Sequence, residues 1–262
     1  MTPLMIERYA THWTLVLDRP GKRNALSAEL VEALLDAFDT AAREAVPVVV
    51  LRGHGHCFSA GFDMSEAATQ SDGDLLLRFV RIEMLLNRIA TSPCATVAVA
   101  HGRNFGAGVD LFAACRVRIA APGTTFQMPG LRFGIVLGTA RFARIVGRDV
   151  ARAMLETSAP FDVDWAVEHG FAERGEPAPR LLETIDARVA RVATLAPRTR
   201  RLLDEALCDE RADADLAMLV RSAAEPGLRE RIAAYRATTA PPRPASATHE
   251  AAHAAGSRHD VS

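Results

Sequence analysis

The 262-residue chain has almost no net charge: 31 lysines and arginines stand against 32 aspartates and glutamates, a formal -1. That balance excludes the bulk positive field with which nucleic-acid binders collect phosphate backbones, leaving room only for a local patch. Cysteines are few and scattered. Cys57, Cys94, Cys115 and Cys208 form no CxxC pair, and no histidine stands at zinc-ligand spacing from two of them. They read as buried reduced thiols, and no metal site is expected. Cys57 borders a motif described below, so a reactive thiol is its second reading. No apolar run reaches the roughly 18–20 residues of a membrane span. The opening MTPLMIERYATHW lacks the charged-then-apolar pattern of a secretion signal, which predicts a cytoplasmic protein.

What is present is a rhythm of buried strands and helices. Hydrophobic residues make up 49% of the chain, enough for a sizeable core. WTLVLDRP reads as a strand stopped by Pro20. SAELVEALLDAFDTAARE reads as an amphipathic helix, capped by Ser27, with Leu30, Leu34, Leu35 and Phe38 on one face. VPVVVLRG and ATVAVAHG are too uniformly apolar for a sheet with a wet face. DLLLRFVRIEMLLNRIATS lies between them as a second helix, and GAGVDLFAACR and then VRIAAPG follow as helix and strand. Alternation of this kind predicts crossover units and mainly parallel pairing, an α/β fold. From about residue 148 the pattern is helical. The last segment, 241–262, is rich in Pro, Ala, Ser and His without apolar periodicity and predicts a disordered tail. Its His249, His253 and His259 read either as metal ligands or, more simply, as solvated side chains.

Two turns stand out. HCFSAGFDMSE follows one buried strand and crowds Ser59, Ala60 and Gly61 ahead of Phe62 and Asp63. AHGRNFGAGVDLFAAC follows the next, and its Gly106-Ala107-Gly108 opens a helix where free N–H groups gather. Such a turn stabilises an anion or a developing oxyanion, or serves tight geometry alone.

Taken in order, RPGKRNALS, CFSAGFD, HGRNFGAGVDL, TTFQMPGLRFG and GLRERIAAYRA resemble the motifs of the enoyl-CoA hydratase/isomerase (crotonase) family over roughly residues 10–240. The resemblance implies a crotonase-like (ClpP/crotonase) spiral of ββα crossover units with a C-terminal helical region. On that reading residues 1–190 form the acyl-CoA-binding core, and 191–240 form helices that trimerise or cover the site. It also implies an acyl-CoA substrate, a homotrimer or hexamer, and no cofactor beyond the coenzyme A of the substrate thioester. By position, the amides of Phe62 and Ala107 become the oxyanion donors. Lys22, Arg23, Ala25, Ala60, Gly61, Asp63, Met64, Gly106, Gly108, Pro129 and Gly130 become the CoA and substrate contacts. Ala60 and Gly61 stay small so that CoA can lie against the chain, and Asp63 holds the loop. The family's peptide-cleaving relatives pair a serine with a histidine, and no motif here sets a histidine beside Ser59.

The chain also departs from the pattern. Hydratases of the family use two glutamates. Asp110 holds the first position with a side chain one methylene shorter, and Gly130 holds the second with no functional group. The family pair is thus reduced to Asp110, which puts ordinary hydration in question. GIVLGTARFARIVG lacks the usual proline and predicts a reshaped pocket floor. Glu83 reads as a substitute acid or as a solvated or ion-paired side chain. Arg132 and Arg141 read as carboxylate binders or surface cations. The expected activity is hydratase-like or isomerase-like proton chemistry through Asp110. The alternatives are acyl-CoA decarboxylation, hydrolysis, or binding of a CoA ester without turnover.

Overall fold

The computed structural model describes residues 2–177, 180–192, 194–207 and 211–239. Cys208 and the segment 241–262, with its histidines, lie outside the described residues. The chain begins with a hairpin of β1 (Leu4–Arg8) and β2 (Trp13–Leu17), whose Leu15 and Leu17 are fully buried. A single 3-10 turn at Pro20–Lys22 leads to α1 (Ala28–Arg43). Ser27 caps that helix as its sequence predicts, accepting from the Leu30 amide at 3.2 Å. Then come β3 (Val48–Gly53), α2 (Asp72–Ala90) and β4 (Ala95–Ala100). Val48, Val49, Val50 and Leu51 are each at most 1% exposed, because helices cover both faces of the sheet.

Next are β5 (Arg103–Phe105), α3 (Ala107–Ala113), β6 (Val117–Ala120) and β7 (Thr125–Gln127). The remaining elements are α4 (Thr139–Val146), α5 (Arg148–Thr157), β8 (Phe161–Asp162), α6 (Val163–Glu168) and β9 (Glu173–Arg174). They are followed by α7 (Leu181–Val192), α8 (Pro197–Leu207), α9 (Ala212–Ala223) and α10 (Leu228–Thr239). The main sheet runs β1-β2-β3-β4-β6-β9, parallel from β2 onward, with β1 antiparallel at its edge. A second sheet, β5-β7-β8, stands beside it. β2, β3, β4 and β6 each feed a strand or turn at their C-terminal ends before a crossover helix follows. This is the crotonase spiral.

α4 and the short strands depart from the sequence reading. GIVLGTARFARIVG is not only a loop: it turns at Gly138 (φ 62) into α4. The short strands β5, β7, β8 and β9 carry too few residues for a period to show. The C-terminal helices also fold back. α10 begins beside α2, where the Asp72 carboxylate accepts from the amides of Gly227, Leu228 and Arg229 at 3.0, 3.1 and 2.9 Å. Arg231 then donates to the Phe133 carbonyl (2.8 Å), and Arg236 to the Met64 carbonyl (3.1 Å). Three polar clamps therefore hold α10 over the same face onto which the two turns open.

Candidate active site

β3 and β4 end side by side, and the turns after them enclose a cleft of ≈ 1030 Å³ roofed by α10. The first turn is held by polar groups with little or no exposure. The Asn24 amide donates to the carbonyls of His54 (2.8 Å) and Cys57 (2.9 Å), and its carbonyl oxygen accepts from the Arg19 amide. Ser59 donates from its hydroxyl to the Asn24 carbonyl (2.8 Å), which removes it as a nucleophile. Its amide donates to the Asn104 side chain, whose own amide bridges the carbonyls of His101, Gly102 and Thr125. Asn24, Ser59 and Asn104 thus fasten both turns to each other. None of the three reveals that task by sequence pattern alone, because their partners lie far away along the chain.

Asp63 completes this scaffold. Its carboxylate meets Arg19 at 2.8 Å and accepts from the Ser65 amide and hydroxyl at 3.0 and 2.6 Å. Burial pushes its pKa up, but the Ser65 hydrogen bonds and the Arg19 charge outweigh it and bring it down to about 2. Arg78 donates to the Asp63 carbonyl (2.8 Å) and lies 4.2 Å over the Phe62 ring, which stacks on Phe79 at 4.3 Å. The chain at 61–63 is therefore gripped from both sides: Leu26 donates to Gly61 and accepts from Asp63.

The gripped segment leaves the Phe62 amide without an acceptor, and the Ala107 amide across the gap is likewise unengaged among the described residues. The two backbones adjoin because Gly61 (φ 79) has no Cβ. One built there would collide with the Phe105 carbonyl and come within 3.0 Å of the Ala107 nitrogen. Gly108 plays the same part from the other turn, where a Cβ would meet the Ser59 carbonyl at 2.5 Å. These two glycines do not line the cleft. Their small size serves the meeting of the turns, a different reason from the CoA contact that sequence suggests for Gly61. Lys22, Arg23, Ala25, Ala60, Phe62, Asp63, Met64, Gly106, Ala107, Asp110, Pro129 and Gly130 all line it.

Asp110 lies one turn into α3, 4% exposed, with Oδ1 buried and lacking a hydrogen-bond partner among the described residues. The Gly138 backbone presses against that carboxylate. Burial raises the Asp110 pKa first, the Glu83 charge raises it further, and Arg141 opposes both; the result is well above the ordinary carboxylate range. Glu83 and Arg141 are buried at 1% and 3% exposure and pair at 3.6 Å, so Arg141 is no surface cation. Arg132 hydrogen-bonds the Ser158 hydroxyl and Thr157 carbonyl and does not line the cleft. Gly130 begins a 3-10 turn with φ outside the left-handed region, and a Cβ there would meet the Ile135 carbonyl at 2.9 Å.

Apolar side chains that no motif announced line the interior: Phe79, Met128, Phe133, Ile135, Leu137 and Leu155. Tyr235, Arg236, Ala237 and Thr239 reach it from α10, and His56 and Arg103 join Lys22 and Arg23 at its rim. Cys57 also borders it as a free, buried thiol; burial raises its pKa, with Arg23 opposing, which disfavours the reactive thiolate. Among the described residues no group of three or more His, Cys, Asp or Glu could hold a metal ion. No described helix is long and apolar enough to cross a membrane.

Comparison with known proteins agrees with this architecture. The family model for enoyl-CoA hydratase/isomerase matches residues 7–225. The chain belongs to the enoyl-CoA hydratase/isomerase family. Within that family it is similar to a Bordetella parapertussis protein of known crystal structure, provisionally named enoyl-CoA hydratase/isomerase. The two share 54% identity and a TM-score of 0.89, over 92% of this chain and 100% of the other. It is 34% identical to the probable enoyl-CoA hydratase echA6 of Mycobacterium tuberculosis, over 70% of this chain and 73% of that protein. The Bacillus halodurans enoyl-CoA hydratase, at 24% identity and TM-score 0.79 over 88% and 99% of the two chains, shares the fold.

Proposed function

We propose that this member of the family binds an acyl-CoA thioester and moves a proton along its acyl chain, shifting a carbon–carbon double bond. Asp110 is its one proton carrier. The observation that supports this most is the meeting, in one cleft, of two amides unengaged among the described residues and a buried carboxylate, Asp110, whose Oδ1 is not committed to a hydrogen bond as the oxygens of Asp63 are. The amides of Phe62 and Ala107 take the thioester oxygen. The Asp110 carboxylate removes a proton from the carbon next to the thioester, and that C–H electron pair becomes the C=C of an enolate whose charge the amides hold. The enolate collapses to the conjugated α,β-alkene, and the electrons of the old β,γ-alkene take the proton back from Asp110 at the γ-carbon. One carrier suffices for this shift. Hydration needs a second group to activate water, and Gly130 offers none.

A carboxylate whose pKa is raised by burial is a stronger base for a carbon acid, which suits the role. Lys22, Arg23 and Arg103 at the rim fit the phosphates of coenzyme A, and the apolar interior fits an aliphatic acyl chain. No cofactor enters besides the coenzyme A of the substrate. The exposed Leu202, Leu203 and Leu207 on α8 fit packing against a further copy in a trimer or hexamer.

The test is to incubate the protein with a β,γ-unsaturated acyl-CoA, with crotonyl-CoA and with a malonyl-type CoA ester. Conjugated-thioester absorbance should appear from the first and persist in the second. Release of free thiol, loss of carbon dioxide, or thermal stabilisation without turnover would instead assign hydrolysis, decarboxylation or binding alone. Hydration of crotonyl-CoA at ordinary enzymatic rates, undiminished by Asp110→Asn, overturns the reading.

A further inference from the structure

Behind Asp110 lies a buried ion pair that the chemistry above does not use. Glu83 comes from α2 and Arg141 from α4, the two helices that flank α3. Arg141 also donates to the Asn87 side chain at 2.9 Å, which fixes its guanidinium one helical turn from Glu83. Gly138 packs its backbone on Asp110 Oδ1, so the N-terminal end of α4 reaches the carboxylate directly. A buried pair is a costly way to fill space: an apolar pair of similar volume is often as stable or more so. Both of its helices pack on α3, α4 beginning at Gly138 against the Asp110 carboxylate, and that placement gives the pair a use. Charges in a dry interior act on each other far more strongly than in water.

The other charges on the elements that pack against α3 have partners of their own or are exposed. β4 carries none, and Arg103 of β5 is exposed. On α2, Arg78 is bound to the Asp63 carbonyl, and Arg81 and Arg88 pair with Glu32 and Asp39 of α1. On α4, Arg144 pairs with Asp215 at 3.1 Å. The charges that act on Asp110 are Glu83 and Arg141.

We propose that Glu83 and Arg141 are positioning residues for the proton carrier: a buried ion pair, set behind Asp110 from α2 and α4, that fixes which charge the Asp110 side chain holds when substrate enters. Glu83 keeps Asp110 a strong enough base to take a proton from carbon. Arg141 keeps Glu83 ionised and stops Asp110 from being locked as the neutral acid. Neither touches substrate, and neither lines the cleft.

This inference rests on the reading of Asp110 as proton carrier, and the two fail separately in the following test. Full-length protein labelled with ¹³C at the aspartate carboxyls is titrated by NMR, the Asp110 signal being the one lost in Asp110→Asn. Turnover of a β,γ-unsaturated acyl-CoA is measured over the same pH range. Glu83→Gln should lower the Asp110 midpoint by about one pH unit or more, because the negative charge that raises it is gone. Arg141→Gln should raise it, and the double variant should return it close to wild type. The pH profile of kcat should move with the spectroscopic midpoint, while KM for the thioester changes less than threefold. Should Glu83→Gln fail to fold, Glu83→Asp is read instead, with a smaller downward shift expected. An Asp110 midpoint that stays fixed, or that moves the same way when Glu83 and Arg141 are each removed, overturns the proposal. A midpoint that moves as expected while the kcat profile stays fixed upholds the charge coupling and removes Asp110 from proton transfer.

Discussion

The two halves of the cleft solve opposite problems. Where the two turns meet, every buried polar group named above has a partner: Asn24, Ser59, Asn104 and Asp63 are engaged, and what emerges, from the first turn and from the start of α3, is a pair of backbone amides unengaged among the described residues. One turn further into α3 the reverse holds. The backbone is ordinary helix, and the unfilled group is a side chain, Asp110, buried with an oxygen unpartnered. The first half invests stability in holding donors still. The second half gives up stability to keep one carboxylate reactive, as active sites commonly do.

The largest expected effect tests that second half. Asp110→Asn should cut turnover by about 10²–10⁴-fold, the usual contribution of a general acid–base group, and leave CoA affinity nearly unchanged. It should also stabilise the protein at neutral pH. A carboxyl whose folded pKa is raised contributes stability below its unfolded pKa of about 4, and that contribution is lost as pH rises through the higher folded value. Removing the charge removes the loss. Thermal melts at pH 5 and pH 8 check this: the gain over wild type should grow with pH. A variant that is inactive and less stable at pH 8 would erase the contrast between the halves.

Next in size is Gly61→Ala. The new methyl falls on the Phe105 carbonyl at a backbone angle of φ 79, so roughly 3 kcal/mol of stability should go, from strain and overpacking together. A larger residue there would break the fold as well as the site. The same substitution at Gly130 meets only the Ile135 carbonyl, at 2.9 Å and without a left-handed backbone, and should cost less. Restoring a carboxylate by Gly130→Glu then requires that the Ile135 carbonyl give way. Chemical denaturation of the two alanine variants orders them.

Asp63→Asn is the counterpart of Asp110→Asn, with the opposite sign. The folded pKa of about 2 against an ordinary 3.8 corresponds to about 2 kcal/mol. A depressed carboxyl contributes that stability above pH 4 and loses it as pH falls through 2. The variant should therefore be less stable than wild type at pH 7 and converge on it in acid. Equal stability at pH 7 would mean that Arg19 and Ser65 hold the loop without the charge.

The same contrast explains what could be read without a structure. The buried strands β2, β3, β4 and β6, the helices α1, α2 and α3, and the two turns were legible because each is a local pattern: an apolar run, a 3.6-residue period, small residues after a strand. The charge arrangement around Asp110 was not. Glu83 and Arg141 meet across 58 positions of sequence, and a lone charge on an apolar helix face looks the same whether it is solvated or buried against a partner. α4 was hidden too, because Gly138 and the arginines within TARFARIV suggest a polar loop until the fold buries Arg141 and Phe142. The apolar lining from Met128 to Leu155 has no period, since consecutive contributions come from different elements.

The smallest expected effect belongs to the rim. Lys22 ends the 3-10 turn at Pro20–Lys22, exposed at the mouth of the cleft and far from both the amides' scaffold and the Asp110 cluster in function. An exposed ammonium facing a phosphate gains only the screened attraction of charges in water, roughly 0.2–1 kcal/mol. Lys22→Ala should thus weaken binding of coenzyme A about two- to fivefold in a low-salt titration, and the difference should shrink as salt is raised and the Debye length contracts. Because the phosphates bind alike in the ground and transition states, kcat should stay at its wild-type value while KM rises. That is the mirror image of Asp110→Asn, which lowers kcat at constant affinity. Calorimetric titration at two salt concentrations, with steady-state kinetics beside it, decides the case. An affinity loss that persists at high salt would place Lys22 in a desolvated contact inside the cleft, and would make the rim a third rigid element rather than a screened one.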